Sequence, residues 1–224
     1  MIPIIPAIMP AGIDDLEDKI QAVHHVVDVV QIDIMDGKFV PGKTWPYPLR
    51  GDAARDLMPE GLPFWDTLDY ELDLMVSRPE DTFEFWRSFG PAYMVIHYES
   101  VVDWDALLRH VEESRDLISF GLSFDNTTDV ALIEDKLEHF DYVQCMGIEQ
   151  IGFQGQPFHD EVLDTITYLR NAYPDLMITV DGSVNFDTIQ DLCEAGAQRF
   201  VAGSAVYNHD NPAYQVEELA RLVQ

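Results

Sequence analysis

Two aspartates, Asp33 and Asp181, stand near the ends of short apolar runs that predict buried β-strands. A glycine turn follows each of them within a few residues. In an α/β barrel the strand ends face one common mouth, where carboxylates from two strands can lie across from each other. Two carboxylates on opposite sides of a substrate suit removal of a proton from one face and its return to the other. We therefore expect an acid/base pair, the alternative for either residue being a cap of the following loop.

Three loops late in the chain combine glycine with other small or polar residues. These are Gly152-Phe153-Gln154-Gly155-Gln156, Gly182-Ser183 and Gly203-Ser204. Glycine lets backbone N–H groups approach an anion closely, and barrels commonly bind phosphate after their seventh and eighth strands. A single glycine after a strand indicates only a turn, but its recurrence at three neighbouring loops favours a phosphate-sized anion site. We expect its members to be Gly152, Gly155, Gly182, Ser183, Gly203 and Ser204.

The elements that must position these residues alternate regularly along the chain. Apolar runs predict strands over residues 4–9, 29–34, 70–76, 93–98, 118–124, 142–148, 177–180 and 200–202. Amphipathic patterns and caps predict helices over residues 14–27, 50–57, 79–89, 104–115, 160–173, 186–195 and 212–223, with one more between a cap at 125–128 and residue 139. Strand and helix follow each other at a spacing of roughly 25 residues, which is typical of parallel strands covered by helices.

This order predicts an α/β fold, a (β/α)8 TIM barrel formed as one domain over residues 1–224. An open doubly wound sheet is the alternative, and it fits less well because no glycine fingerprint follows the first strand. A proline-rich and aromatic connection over residues 40–48 is long and irregular, which is typical of a lid or an oligomer contact.

The charge of the chain limits its partners. Its 224 residues include 13 lysines and arginines against 41 aspartates and glutamates, a formal net charge of −28 at pH 7. Nucleic acid and anionic membranes require a basic face, so we expect neither as a partner. We interpret the acidity as a solvated surface of a kind suited to high salt, an acidic binding face being the alternative. Because basic residues are scarce, we expect backbone amides to donate most of the hydrogen bonds to an anionic substrate.

Nothing in the sequence indicates export. The first residues lack the basic and long apolar regions of a signal peptide, and no apolar run approaches the roughly 20 residues that a bilayer requires. We therefore expect a cytoplasmic protein in which Cys145 and Cys193, both in predicted regular elements, are buried and reduced.

Several ordered motifs resemble one known family. They are Asp33-Ile-Met-Asp-Gly-Lys-Phe-Val-Pro41, Asp73-Leu-Met-Val76, Ile96-His-Tyr-Glu99, Gly152-Phe-Gln-Gly-Gln156, Val180-Asp-Gly-Ser-Val184 and Val201-Ala-Gly-Ser-Ala205. In these stretches, and across nearly the whole chain, the sequence is similar to the ribulose-phosphate 3-epimerases. The resemblance implies a barrel that interconverts D-ribulose 5-phosphate and D-xylulose 5-phosphate, with Asp33 and Asp181 matching the family's two catalytic aspartates.

The resemblance also implies a divalent metal, held in the family by both aspartates and two histidines. Gln31 and Asp73 stand at the histidine positions of this chain. A set of Gln31, Asp33, Asp73 and Asp181 offers oxygen ligands alone, which favours magnesium or manganese over zinc or iron. Three carboxylates together require a cation or a raised carboxyl pKa. We expect one divalent cation and no organic cofactor.

Other positions follow or depart from the family pattern. Met35 and Met75 match methionines that cap the substrate, and Met146 matches a third less closely. Ala7 stands where the family has serine, and Lys38 where it has histidine. Lys38 is the candidate to neutralise an oxyanion, a solvated loop lysine being the alternative. His97, on an apolar strand, is interpreted as a hydrogen-bonded core residue, and we assign no role to His24 and His25.

These expectations lead to a first hypothesis and two alternatives. The first is epimerisation of a phosphorylated ketose at C3. The second keeps the phosphate site but uses Lys38 and the acidic cluster for aldol cleavage or decarboxylation. The third is a non-catalytic sugar-phosphate binder. By analogy with the family, the aromatic stretch near Trp45 predicts a homo-oligomer.

Overall fold

The computed structural model describes residues 3–47 and 61–223, and its centre is a closed barrel of parallel strands. The strands are β1 (Ile4–Ile8), β2 (Val29–Met35), β3 (Asp69–Met75), β4 (Tyr93–His97), β5 (Ser119–Phe124), β6 (Tyr142–Met146), β7 (Met177–Asp181) and β8 (Arg199–Ala202). Each strand pairs with its neighbours in chain order, and β8 closes the barrel by pairing with β1. The predicted (β/α)8 barrel is confirmed, whereas the single domain over residues 1–224 stays a prediction.

Helices cover the outside of this barrel. They are α1 (Ile13–Val23), α2 (Pro79–Arg87), α3 (Trp104–Ser114), α4 (Glu161–Ala172), α5 (Ile189–Ala195), the short α6 (Ser204–Tyr207) and α7 (Pro212–Arg221). In the described ranges no helix is both long enough and apolar enough to cross a membrane. The helix predicted over residues 50–57 lies outside the described residues.

The connection from β5 to β6 differs from the prediction. Instead of one helix ending near His139, it contains two short 3-10 turns, Val130–Leu132 and Leu137–His139. The Asp129 carboxylate accepts a hydrogen bond from the amide of Ala131, two residues on. This bond caps the first of the two turns. Sequence periodicity does not reveal that neither turn extends into a longer helix.

The main core lies between the strands and the helices. On α1 the buried residues are Leu16, Ile20 and Val23, so one face of this helix is apolar while acidic residues occupy its first turn. The outward residues of the strands are buried by the helices, and the inward residues fill the barrel, so the strands are apolar along most of their length. Cys145 is buried and free, but Cys193 is exposed, because α5 turns Ile189 and Leu192 inward instead.

A polar layer fills the amino-terminal end of the barrel interior. Arg199 Nη2 lies 2.7 Å from Glu71 Oε2, and the Tyr142 hydroxyl donates to the same carboxylate oxygen at 2.8 Å. The Arg199 guanidinium also lies over the rings of Tyr93 and Tyr142, at 5.0 and 4.8 Å from the ring centroids. Glu71 precedes Asp73 by two positions on β3, so this layer lies directly beneath the strand-end carboxylates.

We expect the buried Arg199–Glu71 pair to matter for stability. Arg199→Met should lower the free energy of unfolding by about 3–5 kcal/mol, because it leaves the Glu71 carboxylate buried without its counter-charge. The double variant Arg199→Met/Glu71→Gln should recover most of this loss, since neither residue is then charged. Urea denaturation of the three proteins measures both effects, and a single variant within about 0.5 kcal/mol of the unchanged protein would contradict the expectation.

Candidate active site

Three aspartates converge at the carboxyl ends of the strands. Asp33 on β2 is directly paired in register with Asp73 on β3, and Asp181 ends β7. One oxygen from each of the three carboxylates lies within 4.8 Å of those of the other two. Asp33 and Asp73 are buried, while Asp181 is partly exposed. Closure of the barrel therefore brings β2 and β7 together in space, although they are far apart in sequence.

Gln31 joins the two predicted catalytic aspartates. Its amide nitrogen donates to Asp33 Oδ1 and to Asp181 Oδ2, at 2.8 Å in each case. The side chain is fully buried, and its oxygen Oε1 has no hydrogen-bond partner among the described residues. The two carboxylates thus share one neutral donor.

Asp73 is held by two further side chains inside the barrel. His97 Nε2 lies 2.8 Å from Asp73 Oδ1, and Gln144 Nε2 donates to Asp73 Oδ2 at 3.2 Å. The hydrogen-bonded core role expected for His97 therefore holds, with a strand-end carboxylate as its partner. Gln144 was not singled out from the sequence. A polar side chain in the apolar strand β6, two positions before Met146, was the available signal.

Burial and mutual repulsion change the acidity of this cluster. Burial, followed by the charges of Asp181 and Asp73, raises the pKa of Asp33 well above its usual value. Burial and then the charge of Asp73 raise the pKa of Asp181 to about 7. For His97, burial lowers the pKa and Asp73 raises it, with a net increase. Near neutral pH the Asp33 and Asp181 pair therefore holds a proton, which an acid/base pair requires.

The donor set fits a divalent cation. Three carboxylate oxygens within 4.8 Å of one another can reach a single ion with metal–oxygen distances between about 2 and 2.6 Å. Gln31 contacts two of these carboxylates through its amide nitrogen, and rotation of that amide would turn its unpartnered Oε1 toward them as a fourth oxygen. A cation would also relieve the repulsion that raises the pKa values of Asp33 and Asp181.

A pocket opens above the carboxylates, with a volume of about 540 Å³ including its mouth. The three aspartates line one part of it, and the predicted anion-site residues line another: Gly152, Gly155, Gly182, Ser183, Gly203 and Ser204. Lysine and arginine are absent from the described residues that line this pocket. Its end near the late loops therefore offers backbone amides, hydroxyl groups and a glutamine amide, but no fixed positive charge.

The turn after β7 is held firmly. Gly182 and Ser183 both have positive φ angles, 96° and 51°, and such a conformation is unfavourable for serine. The Ser183 hydroxyl donates to the carbonyl oxygen of Gln156, and the Thr188 hydroxyl donates to the carbonyl oxygen of Ser183 at 2.6 Å. The Ser183–Gln156 bond joins the loops after β6 and β7 at the pocket, and the Thr188–Ser183 bond holds the turn after β7.

The predicted methionines lie at two depths. Met75 and Met146 line the pocket. Met35 is buried behind it in a cluster with Val40 and Met75, and its sulfur lies 3.3 Å from where a β-carbon on Gly152 would be. That β-carbon would lie still closer to Val40, at 2.9 Å from its Cβ, so Gly152 must remain small for this packing to persist.

The structure does not bring Lys38 to the pocket. Lys38 is exposed and is not among the lining residues. The neighbouring Asp36 accounts for its position, because the buried Asp36 carboxylate accepts hydrogen bonds from the backbone amides of Lys38 at 2.7 Å, Phe39 at 3.0 Å and Ser77 at 3.0 Å. Asp36 thus ties the loop after β2 to the loop after β3.

Closed parallel strands with an acidic cluster at their carboxyl ends define an α/β barrel with the layout of a barrel enzyme. The Ribulose-phosphate 3 epimerase family model matches residues 3–207. The chain belongs to this family.

Curated relatives extend over nearly the full chain. It is 31% identical over 225 residues to the ribulose-phosphate 3-epimerase of Bacillus subtilis, covering 98% of each chain. It is 34% identical over 216 residues to that of a Synechocystis species, covering 94% of this chain and 89% of the relative. Such relatives are isomerases, and they support an epimerase-like role.

Solved structures agree on the fold. A crystal structure of KGPDC from Streptococcus mutans has a TM-score of 0.72 at 14% identity, covering 100% of this chain and 98% of that chain. The 3-hexulose-6-phosphate synthase of Salmonella typhimurium has a TM-score of 0.71 at 14% identity, covering 99% of this chain and 98% of that chain. At these identities the likeness concerns the fold alone.

Proposed function

We propose that this protein epimerises a ketose phosphate at C3, with D-ribulose 5-phosphate and D-xylulose 5-phosphate or a related pair as substrates. The observation that carries the proposal is the pair of Asp33 and Asp181, bridged by Gln31 at the base of the pocket, with raised carboxyl pKa values. Membership of the ribulose-phosphate 3-epimerase family supports the reaction class.

The two aspartates divide the proton transfers. The ionised carboxylate removes the C3 proton from one face of the substrate, and the protonated carboxyl delivers its own proton to the opposite face. Each turnover exchanges their protonation states, so the reverse reaction uses the same groups in opposite roles. In the cation-free site, burial and neighbouring charge raise both pKa values, so the pair holds one proton near neutral pH.

Gln31 and Asp73 support this pair in different ways. The Gln31 amide donates to both carboxylates and so orients them toward the same space. Asp73, held by His97 and Gln144, adds a fixed negative charge beside them. Asp33, Asp73, Asp181 and the Gln31 oxygen would hold a divalent cation, with magnesium or manganese the best match to oxygen ligands. When bound, that cation supplies positive charge close to the substrate carbonyl.

The phosphate would be held by neutral donors. The loops after β6, β7 and β8 line one end of the pocket, where backbone N–H groups can approach the phosphate closely. The residues concerned are Gly155, Gly182, Ser183, Gly203 and Ser204. Without lysine or arginine among the described lining residues, the backbone amides and hydroxyl groups must replace the hydration of the phosphate.

The alternative reactions receive less support. Aldol cleavage or decarboxylation is expected to use Lys38 together with the acidic cluster. The acidic cluster lines the pocket, but Lys38 is exposed and is not a pocket-lining residue. A non-catalytic binder would have no need for two raised carboxyl pKa values at one pocket. The homo-oligomer and the cytoplasmic location stay predictions.

Exchange with solvent deuterium tests the proposed function. In D2O, the protein with added magnesium or manganese should replace the C3 hydrogen of a ketopentose phosphate with deuterium, seen as loss of its proton NMR signal, while the second epimer accumulates. The carbon count of the product should not change. Absence of exchange on every ketopentose and ketohexose phosphate tested would contradict the proposal, and a shortened carbon chain would indicate a lyase or decarboxylase instead.

A further inference from the structure

A glutamine side chain extends into the end of the pocket where the phosphate is proposed to bind. Gln154, in the loop after β6, lines the pocket, and a β-carbon on Gly203 would lie only 2.5 Å from its Nε2. The same nitrogen donates to the carbonyl oxygen of Ala7 at 3.5 Å, the long limit of a hydrogen bond. Gln154 therefore places a weakly engaged N–H2 group between the ends of β1 and β8.

The loop that carries Gln154 is fixed by its neighbours. The Gln156 side chain donates to the backbone carbonyl oxygens of Gln150 and Phe153. It also accepts a hydrogen bond from the backbone amide of Gln150. The Ser183 hydroxyl donates to the Gln156 carbonyl oxygen. Gln154 itself is exposed at the loop surface. Because the backbone is anchored on both sides, a change in the Gln154 side-chain rotamer can redirect its amide without moving the loop.

The charge around this amide limits what it can bind. Asp33, Asp73 and Asp181 line the other part of the pocket, and no lysine or arginine of the described ranges lines it. An anion at the Gly203 end must therefore be held by uncharged donors. The Gln154 amide offers two N–H groups, and Gly203 leaves room for them because it has no β-carbon.

We propose that the Gln154 amide binds the phosphate group of the substrate, exchanging its weak bond to Ala7 for bonds to phosphate oxygens, and so selects a phosphorylated sugar over the neutral sugar. This inference rests on the proposed function, since the phosphate belongs to that substrate. Hydrogen bonds to charged groups are stronger than those between neutral groups, so one amide can contribute measurably to the affinity for phosphate.

The test compares Gln154→Ala and Gln154→Glu with the control Gln150→Ala, which alters an exposed side chain of the same loop. Binding of inorganic phosphate is followed by phosphorus NMR, and KM and kcat are measured with a ketopentose phosphate. We expect Gln154→Ala to weaken phosphate binding and raise KM about 10-fold with kcat nearly unchanged. The added negative charge in Gln154→Glu should raise KM and the phosphate dissociation constant by about 100-fold or more, while Gln150→Ala changes neither.

The measurements distinguish a failure of the Gln154 inference from a failure of the proposed function. If the unchanged protein epimerises the substrate but Gln154→Ala retains its KM and phosphate affinity, the inference is wrong and the proposed function stands. If no ketose phosphate is turned over, the phosphate binding of the variants still tests Gln154. Tighter phosphate binding by Gln154→Ala would mean that this side chain blocks the site, and no phosphate binding by any of the proteins would equally overturn the inference.

Discussion

Asp33→Asn and Asp181→Asn should each lower the rate of epimerisation about 10³-fold, because each removes one of the two groups that transfer the proton. The substitution keeps the size of the side chain and leaves an oxygen that can accept from Gln31. Each variant should keep slow deuterium exchange, without inversion, on the epimer whose C3 hydrogen faces the remaining aspartate. The two variants should therefore prefer opposite epimers, which proton NMR in D2O can measure.

Asp210→Asn is the matched control, since Asp210 is exposed on the surface. It should exchange and epimerise both substrates at the unchanged rate. A two-aspartate mechanism is contradicted if either active-site variant retains more than about a tenth of the epimerisation rate, or if both variants exchange the same epimer. Thermal unfolding of each variant shows whether a lost rate reflects chemistry or loss of the fold.

Protein freed of metal with a chelator should bind one manganese or magnesium ion, and its affinity should rise about 10-fold between about pH 6 and pH 8. The pH dependence arises because the pKa of Asp181 is about 7 and a ligating carboxylate must be deprotonated. Manganese binding can be followed by electron paramagnetic resonance without any assay of activity. Asp73→Asn should weaken binding about 100-fold, because it removes a buried charged ligand.

The pH dependence of folding stability tests the same cation site independently. In the unfolded chain Asp181 ionises near its usual pKa of 3.8, whereas in the folded chain the pKa is about 7. The folded state therefore binds more protons between these values, and the cation-free protein loses stability as pH rises from about 4 to 7. Added manganese should raise the melting temperature by several degrees at about pH 8 and by less at about pH 5. An equal shift at both pH values would contradict a carboxylate site.

The ligand types can be tested by replacing them. Gln31→His/Asp73→His supplies two imidazoles, which suit zinc, and should raise the ratio of zinc to manganese affinity about 100-fold. Asp210→His serves as a control for an added surface imidazole. If the ratio is the same in all three proteins, Gln31 and Asp73 do not belong to the cation site.

The amino-acid sequence was enough to predict the barrel, the order of its strands and the strand-end positions of Asp33 and Asp181. It could do so because apolar runs, helical periodicity and polar residues at strand ends are local patterns that depend on a few neighbouring residues. The glycine loops after β6, β7 and β8 were predicted for the same reason, and the structure places all three around one pocket.

Local patterns were less reliable in the connections between the strands. The helix predicted before His139 is instead two 3-10 turns, the first of them capped by the Asp129 carboxylate. For Lys38 the sequence left two possibilities open, a place beside the substrate and a solvated position in the loop. The Asp36 carboxylate accepts three backbone hydrogen bonds that hold this loop, and the Lys38 side chain is exposed.

The contacts between polar side chains inside the barrel could not be predicted from the sequence. Gln144 reaches Asp73 across 71 residues of sequence, and Gln31 reaches Asp181 across 150. These contacts depend on the register in which eight strands close around the interior, and no single strand contains that information. The sequence therefore predicted Asp33 and Asp181 as a pair, whereas closure of the barrel brings one glutamine amide between them.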